Sequence, residues 1–257
     1  MRTALFAVFG LVFGSFLTVV ISRLPEGESV IRPRSRCPRC GAEIRARDNV
    51  PILSYLLLRG RCRNCGQRVS PAYPLIEGAT AILFTAAALA LEPLERAILA
   101  APFLGLMLAL GVIDARHRIV PNRIVYPALV LSAVAILVLD LAGLEVDAVR
   151  GLVGLLVYSV PLFLVALAVP RGMGMGDVKL AGLIGLVLGS FGLAYVGVAA
   201  ALGIIGGGVG ALLALLVLGY GRRQQIAFGP FLAGGAVLAA LTAPQLARIY
   251  LSLVGLS

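Results

Sequence analysis

Two kinds of side chain in this sequence have the type and spacing to do chemistry: carboxylates at the edges of apolar runs, and cysteines in pairs. Acidic groups at bilayer depth are costly, so those that occur there are informative. Asp114 closes one apolar run, in Leu110-Gly-Val-Ile-Asp114-Ala-Arg116-His117, and Asp177 opens another, in Gly172-Met-Gly174-Met-Gly176-Asp177-Val-Lys179. Two carboxylates that meet within a few ångströms cannot both ionise, so they hold one proton between them and offer a base and an acid at once. Such a pair can hydrolyse a peptide bond: one member draws a proton from the attacking water and the other gives one to the carbonyl oxygen or the leaving amine. Gly172, Gly174 and Gly176 open backbone conformations closed to other residues and would let an extended substrate approach Asp177. Residue chemistry alone leaves a second reading open, because an aspartate at a helix end also serves as a cap or complements the helix dipole. Glu77, at another boundary, is either a buried hydrogen-bonding group or a substrate contact. Arg116 and His117 belong to a solvated loop or interface, and Lys179 is expected to reach towards headgroups.

The cysteines form Cys37-Pro-Arg-Cys40 and, after 21 intervening residues, Cys62-Arg-Asn-Cys65, with Gly41 and Gly66 directly behind the two pairs. Two C-x-x-C knuckles at this separation suit four thiolates converging on one tetrahedral Zn²⁺. A site with four cysteine ligands keeps no open position, so this metal is structural, and its binding energy would fold a segment too small for a core of its own. Two disulfides are the competing reading, which a reducing cytoplasmic location disfavours.

These groups have to be positioned by elements that the composition restricts severely. The chain has 257 residues, 60% of them hydrophobic and only 13% charged, with a mean hydropathy of +1.01. A soluble globule carries about 25% charged residues, so the chain is expected to be an all-α polytopic membrane protein. A barrel is excluded because the continuous Leu/Ala/Val/Gly runs lack alternation. About eight spans are expected: 3–22, 74–91, 97–113, 124–141, 151–169, 178–189, 193–219 and 228–253. The sixth is short and is expected to tilt or pack shallowly. No small-residue cleavage site precedes the basic segment, so the first run reads as a retained span.

Eleven arginines fall between the first two spans. Alternate loops, including that one, hold 18 of the 22 basic residues, among them Arg171, Arg222 and Arg223, and the other loops and both termini hold Arg2, Arg96, Arg150 and Arg248. The bias predicts that the richer set faces the cytoplasm and both termini face outside. The expected organisation is a first transmembrane helix over 1–22, a basic cytoplasmic zinc-ribbon-like insert over 23–73, and a seven-helix catalytic domain over 74–257. Such an insert can touch anionic membrane lipids.

With the motifs in view the chain resembles the type IV prepilin peptidases, membrane aspartic proteases of the GxGD type, many of which are also N-methyltransferases. The resemblance rests on Phe13-Gly14-Ser15-Phe16, Arg23-Leu24-Pro25, the two cysteine knuckles, Asp48-Asn49-Val50-Pro51, Tyr73-Pro74-Leu-Ile-Glu77, the Asp114 segment, Gly174-Met-Gly176-Asp177-Val-Lys179 and Phe228-Gly229-Pro230-Phe231, in order along nearly the whole chain. It implies a bacterial inner-membrane endopeptidase, with Asp114 and Asp177 as the catalytic pair at the cytoplasmic face. Its substrates would be prepilin or pseudopilin precursors of pili or secretion systems, cut after the glycine that precedes the pilin's hydrophobic helix. For bifunctional members it also implies methylation of the new N-terminus with S-adenosylmethionine. The sequence departs from the family pattern at Thr18, where Asn is common, and at Asn122, where Asp is common. No glycine-rich strand-turn-helix of nucleotide-binding type is present, and Gly203 to Gly210 reads as close helix packing.

Two other classes of function make different predictions. An ion-coupled transporter using Asp114 and Asp177 would hold its acids nearer the midplane and carry an internal repeat, and no clear repeat is visible. A membrane-tethered nucleic-acid module would interleave aromatics with its arginines. Between 23 and 73 only Tyr55 and Tyr73 are aromatic, so no nucleic-acid partner is expected.

Overall fold

The computed structural model describes residues 1–32, 34–37, 39–169, 173–217 and 227–253. Arg171, Gly172, Arg222 and Arg223 lie outside the described residues. The chain runs through α1 (Arg2–Arg23), a short α2 (Leu53–Leu57), α3 (Ala72–Ala90), α4 (Leu94–His117), α5 (Asn122–Leu141), α6 (Ala148–Ala168), α7 (Met175–Phe191), α8 (Leu193–Leu216) and α9 (Gly229–Leu253). Six of these, α1, α3, α4, α5, α6 and α8, are long and apolar enough to cross a membrane, and α7 and α9 bring the long helices to eight. Among the described residues β pairing is limited to two isolated bridges. The protein is therefore an all-α, multi-pass membrane protein, as the apolar runs predict.

The long helices alternate in direction. At one end of the bundle Arg2 pairs with Glu92 at 2.6 Å, Arg96 donates to the Glu145 carbonyl at 2.7 Å, and the Asp147 amide donates to the Ser190 carbonyl at 3.0 Å. At the other end Arg123 donates to the Gly27 carbonyl at 3.3 Å, tying the start of α5 to the turn after α1. Both aspartates and the cysteine insert belong to this second end.

One expectation is corrected. The short sixth span does not pack shallowly: in α7 Val178 and every residue from Leu180 to Phe191 are buried. Glycine explains how so short a helix becomes the centre of the bundle. Gly185 and Gly189 meet Gly151 and Gly154 of α6 backbone to backbone, and a Cβ on Gly189 would stand 2.7 Å from the Arg150 carbonyl. Between helices in lipid there is little hydrophobic drive, so such close dispersion contacts carry the association. The same device joins α1 to α3, where a Cβ on Gly10 would lie 2.6 Å from the Ala81 Cα.

The insert between α1 and α3 is held by local hydrogen bonds. In the first knuckle the Gly41 amide donates to Cys37 and the Cys37 amide to Ala42; in the second, Gly66 donates to Cys62 and Cys62 to Gln67, all at 2.8–3.0 Å. Gly41 and Gly66 take φ of 69° and 68°, a left-handed turn that favours glycine. Asp48, the last residue of the 3₁₀ turn Ala46–Asp48, accepts a two-pronged interaction from Arg63, with its shortest bond 2.6 Å. That hydrogen-bonded guanidinium holds the Asp48 carboxyl below the usual carboxylate range.

Candidate active site

Asp114 lies one turn inside the end of α4 rather than at its terminus, because the helix continues to His117. Its side chain is buried, with 5% of the residue exposed, and its Oδ2 accepts the Gly229 amide at 3.0 Å. That amide belongs to the first residue of α9, where intrahelical acceptors are missing. Asp114 is therefore neither a cap of its own helix nor a solvated end. Asp177 occupies the first turn of α7 and is half-buried. The two carboxylates lie within Coulombic reach of each other, although 63 residues separate them in the chain.

The elements around the pair explain its placement. The chain leaves α4 through Arg118 in a left-handed conformation, φ 54°, and returns past Val120 into α5. Gly176 lets that return segment come close to α7, since a Cβ there would lie 3.0 Å from the Val120 Cβ. Gly176 thus serves the packing of this return segment against α7. Gly174 is exposed; a Cβ there would find the Asp177 Oδ2 at 3.7 Å. Lys179 does not reach outwards. Its Nζ donates to Asn122 Oδ1 at 2.9 Å and stands 5.2 Å from the centre of the Tyr126 ring, which ties the start of α7 to the start of α5. Neither this contact nor the Gly229 amide was visible in residue types: the first joins positions far apart in sequence, and the second uses a backbone group with no side-chain signature.

Glu77 makes a hydrogen bond within the protein. It is buried on α3 and its Oε2 accepts the Ile52 amide at 2.7 Å, at the N-terminus of α2. Thr18 is satisfied within α1, where its hydroxyl donates to the Ser15 carbonyl at 2.7 Å.

The sulfurs of Cys37, Cys40, Cys62 and Cys65 converge, all within 4.8 Å of one another, with Cys37 and Cys65 at 3.8 Å. Four thiolates about 2.3 Å from a tetrahedral zinc would stand about 3.8 Å apart. Backbone amides of Cys40 and Arg39 lower the Cys37 thiol to about 6. Cys65, despite the Gln67 amide beside it, is pushed up to about 11 by burial and the neighbouring sulfurs. Four sulfurs this close shed all their protons only around a cation, so the donor set fits a metal ion. The glycines of the 203–210 run do not form a cofactor cradle. Gly203 faces Leu232 and Tyr158, Gly207 faces Phe228 and Gly210 faces Phe231, which is the helix packing expected of them.

Fold and site together define a helical multi-pass membrane protein with two neighbouring aspartates at one end of the bundle and a four-cysteine insert beside them. Residues 8–91 match the Bacterial Peptidase A24 N-terminal domain, and residues 101–215 match the Type IV leader peptidase family. The chain is 34% identical over 246 residues to a prepilin leader peptidase/N-methyltransferase of Bacillus subtilis, covering 96% of both chains. It is 33% identical over 264 residues to one of Burkholderia pseudomallei, covering 91% of this chain and 84% of that one, and 43% identical to one of Myxococcus xanthus over a shorter stretch of 136 residues, 51% of this chain and 40% of that one. No solved structure matches. The chain belongs to the type IV leader peptidase family. The ion-coupled transporter reading of Asp114 and Asp177 finds no support among these relatives.

Proposed function

We propose that this protein removes the leader peptide from type IV prepilin or pseudopilin precursors, with Asp114 and Asp177 as the catalytic pair. The observation that carries the proposal is the approach of two carboxylates from distant helices, one buried and one half-buried, at a single end of the bundle. The Gly229 amide donated to Asp114 favours the ionised carboxylate, which makes Asp114 the member of the pair that begins as the base. Asp114 accordingly draws the proton from a water that attacks the scissile carbonyl while Asp177 gives its proton to the carbonyl oxygen; as the tetrahedral diol collapses Asp177 takes that proton back from the hydroxyl and passes it to the leaving amine while the C–N bond breaks. The proton taken from water restores the shared state of the pair.

The excess of Lys and Arg in alternate loops supports placing this end at the cytoplasmic face of the inner membrane, with both termini outside. Zinc is the metal the four thiols suit, as a structural ion that fixes the insert. Methylation of the new N-terminus with S-adenosylmethionine is supported by the relatives' names.

Incubating the purified protein in detergent with a prepilin and a labelled methyl donor reads both activities from one sample, as precursor size and label transfer. Asp114→Asn and Asp177→Asn should each abolish leader removal while membrane insertion stays intact. Full cleavage by either variant defeats the mechanism.

A further inference from the structure

The insert contains a second constellation that the aspartate chemistry does not use. Residues 55–71 enclose a cup of about 590 Å³ lined by Tyr55, Arg59, Arg61, Arg68 and Val69. Its shape is fixed by backbone bonds: Gly60 donates to the Tyr55 carbonyl at 2.8 Å, Arg61 to Leu58 at 3.0 Å and Val69 to Gly60 at 2.8 Å. The Tyr55 hydroxyl donates to the Val69 carbonyl at 3.4 Å. Gly60, at φ 65°, lies so close over the Tyr55 ring that a Cβ there would stand 2.9 Å from it.

Its charge lacks a counterpart. Arg61 and Arg68 are directly opposite each other in an antiparallel bridge, an arrangement that repels for like charges, and Arg59 adds a third guanidinium. None of the three has a carboxylate partner among the described residues. The insert holds only Glu26, Glu28, Glu43 and Asp48 against eleven arginines; Glu43 faces Arg34 and Asp48 is taken by Arg63. A zinc bound by four thiolates returns only two negative charges. Three convergent guanidiniums in a rigid frame suit a phosphate, which they bind in fork geometry.

The neighbouring surface says where that phosphate resides. Leu53, Leu56 and Leu57 of α2 are 54%, 65% and 74% exposed and share a helical face at i, i+3 and i+4. Through the Ile52 amide and Glu77, α2 is anchored in the second turn of α3, where that helix begins its apolar run. Leucines beside arginines at the mouth of a span match acyl chains below headgroups. A nucleic acid would leave those leucines in water, and Tyr55 is engaged by Gly60 and Val69 rather than free to stack a base.

We propose that the cup of Tyr55, Arg59, Arg61 and Arg68 binds the phosphate of an anionic phospholipid, with the leucine face of α2 seated in the adjoining acyl boundary. The full-length protein is placed in nanodiscs of mixed phosphatidylglycerol and phosphatidylcholine. Retained lipid is counted by native mass spectrometry, and amide exchange is followed over residues 55–71. The wild type should retain phosphatidylglycerol selectively. Each arginine near an anionic surface is worth about fivefold, so Arg59→Gln/Arg61→Gln/Arg68→Gln should lower that retention about a hundredfold. Arg32→Gln/Arg34→Gln/Arg45→Gln removes the same charge elsewhere in the insert and should change it little, and equal metal content in both variants shows that the insert is folded. Leu56→Gln/Leu57→Gln should also weaken retention with all arginines present. Equal loss in the two arginine variants, no preference of the wild type for phosphatidylglycerol, protection by millimolar inorganic phosphate in detergent as complete as by the lipid, or tighter capture of a single-stranded RNA oligonucleotide would each overturn the assignment.

Discussion

The amide of Gly229 donates to the Oδ2 of Asp114 at 3.0 Å, so the first turn of α9 is built around a carboxylate on α4. Glycine is required for this closeness, since a Cβ at position 229 would lie 2.6 Å from the same oxygen. Gly229→Ala must push Asp114 aside or break the α4–α9 contact. Displacing a reacting group by about 1 Å costs on the order of a hundredfold in rate, so leader removal should fall at least that far with membrane insertion unchanged. Gly78→Ala, whose Cβ would meet only the Ile52 Cδ1 at 3.7 Å, is the matched control and should cleave normally. A gel assay of precursor conversion reads both.

Lys179 links the start of α7 to Asn122 at the start of α5, two residues after Asp177. Lys179→Met should slow conversion about tenfold, the loss expected for one hydrogen bond to a charged group. Asn122→Asp replaces a neutral acceptor by a carboxylate beside the same ammonium and should convert precursor within about twofold of the wild type while raising the melting temperature slightly. Equal damage from the two substitutions would show that the link does not position Asp177.

What could be read from the sequence follows the range of the interactions. The cysteine cluster was legible because each knuckle closes within four residues, through turns that Gly41 and Gly66 announce. The spans were legible as apolar runs, and their ends agree with the helices to within a few residues. The central place of α7 was not, since Asp177 and Lys179 shorten its apolar run while the glycines that bury it against α6 contribute nothing to hydropathy. The partners of Asp114, Lys179 and Glu77 were equally hidden, because each lies on another element and two of the three contacts end on a backbone amide.

Zinc in the insert leads to a prediction that separates structure from catalysis. Cys40→Ser removes one of four converging sulfurs, so elemental analysis should find far less than one zinc per chain and the insert should lose protection from proteases. Asp114→Asn should keep its full zinc content. A stoichiometric metal signal unchanged in Cys40→Ser would mean that the four thiols do not hold the ion.

The bond from the Ile52 amide to Glu77 distinguishes the two roles open to this acid in the sequence. Ile52 is held at φ 57°, a costly conformation for a β-branched residue, at the point where the insert meets α3. If Glu77 is there to accept that amide, Glu77→Gln retains an oxygen acceptor and should cleave precursor at a normal rate. Glu77→Ala leaves the amide unpaired at a cost of about 1–3 kcal/mol, and hydrogen exchange over residues 50–57 should accelerate by roughly one to two orders of magnitude as α2 comes loose. If Glu77 instead meets the substrate through its charge, Glu77→Gln should impair cleavage with exchange in α2 unchanged. Measuring conversion and exchange on the same two variants therefore assigns the residue, because the pattern expected of the hydrogen bond is the reverse of the pattern expected of a substrate contact.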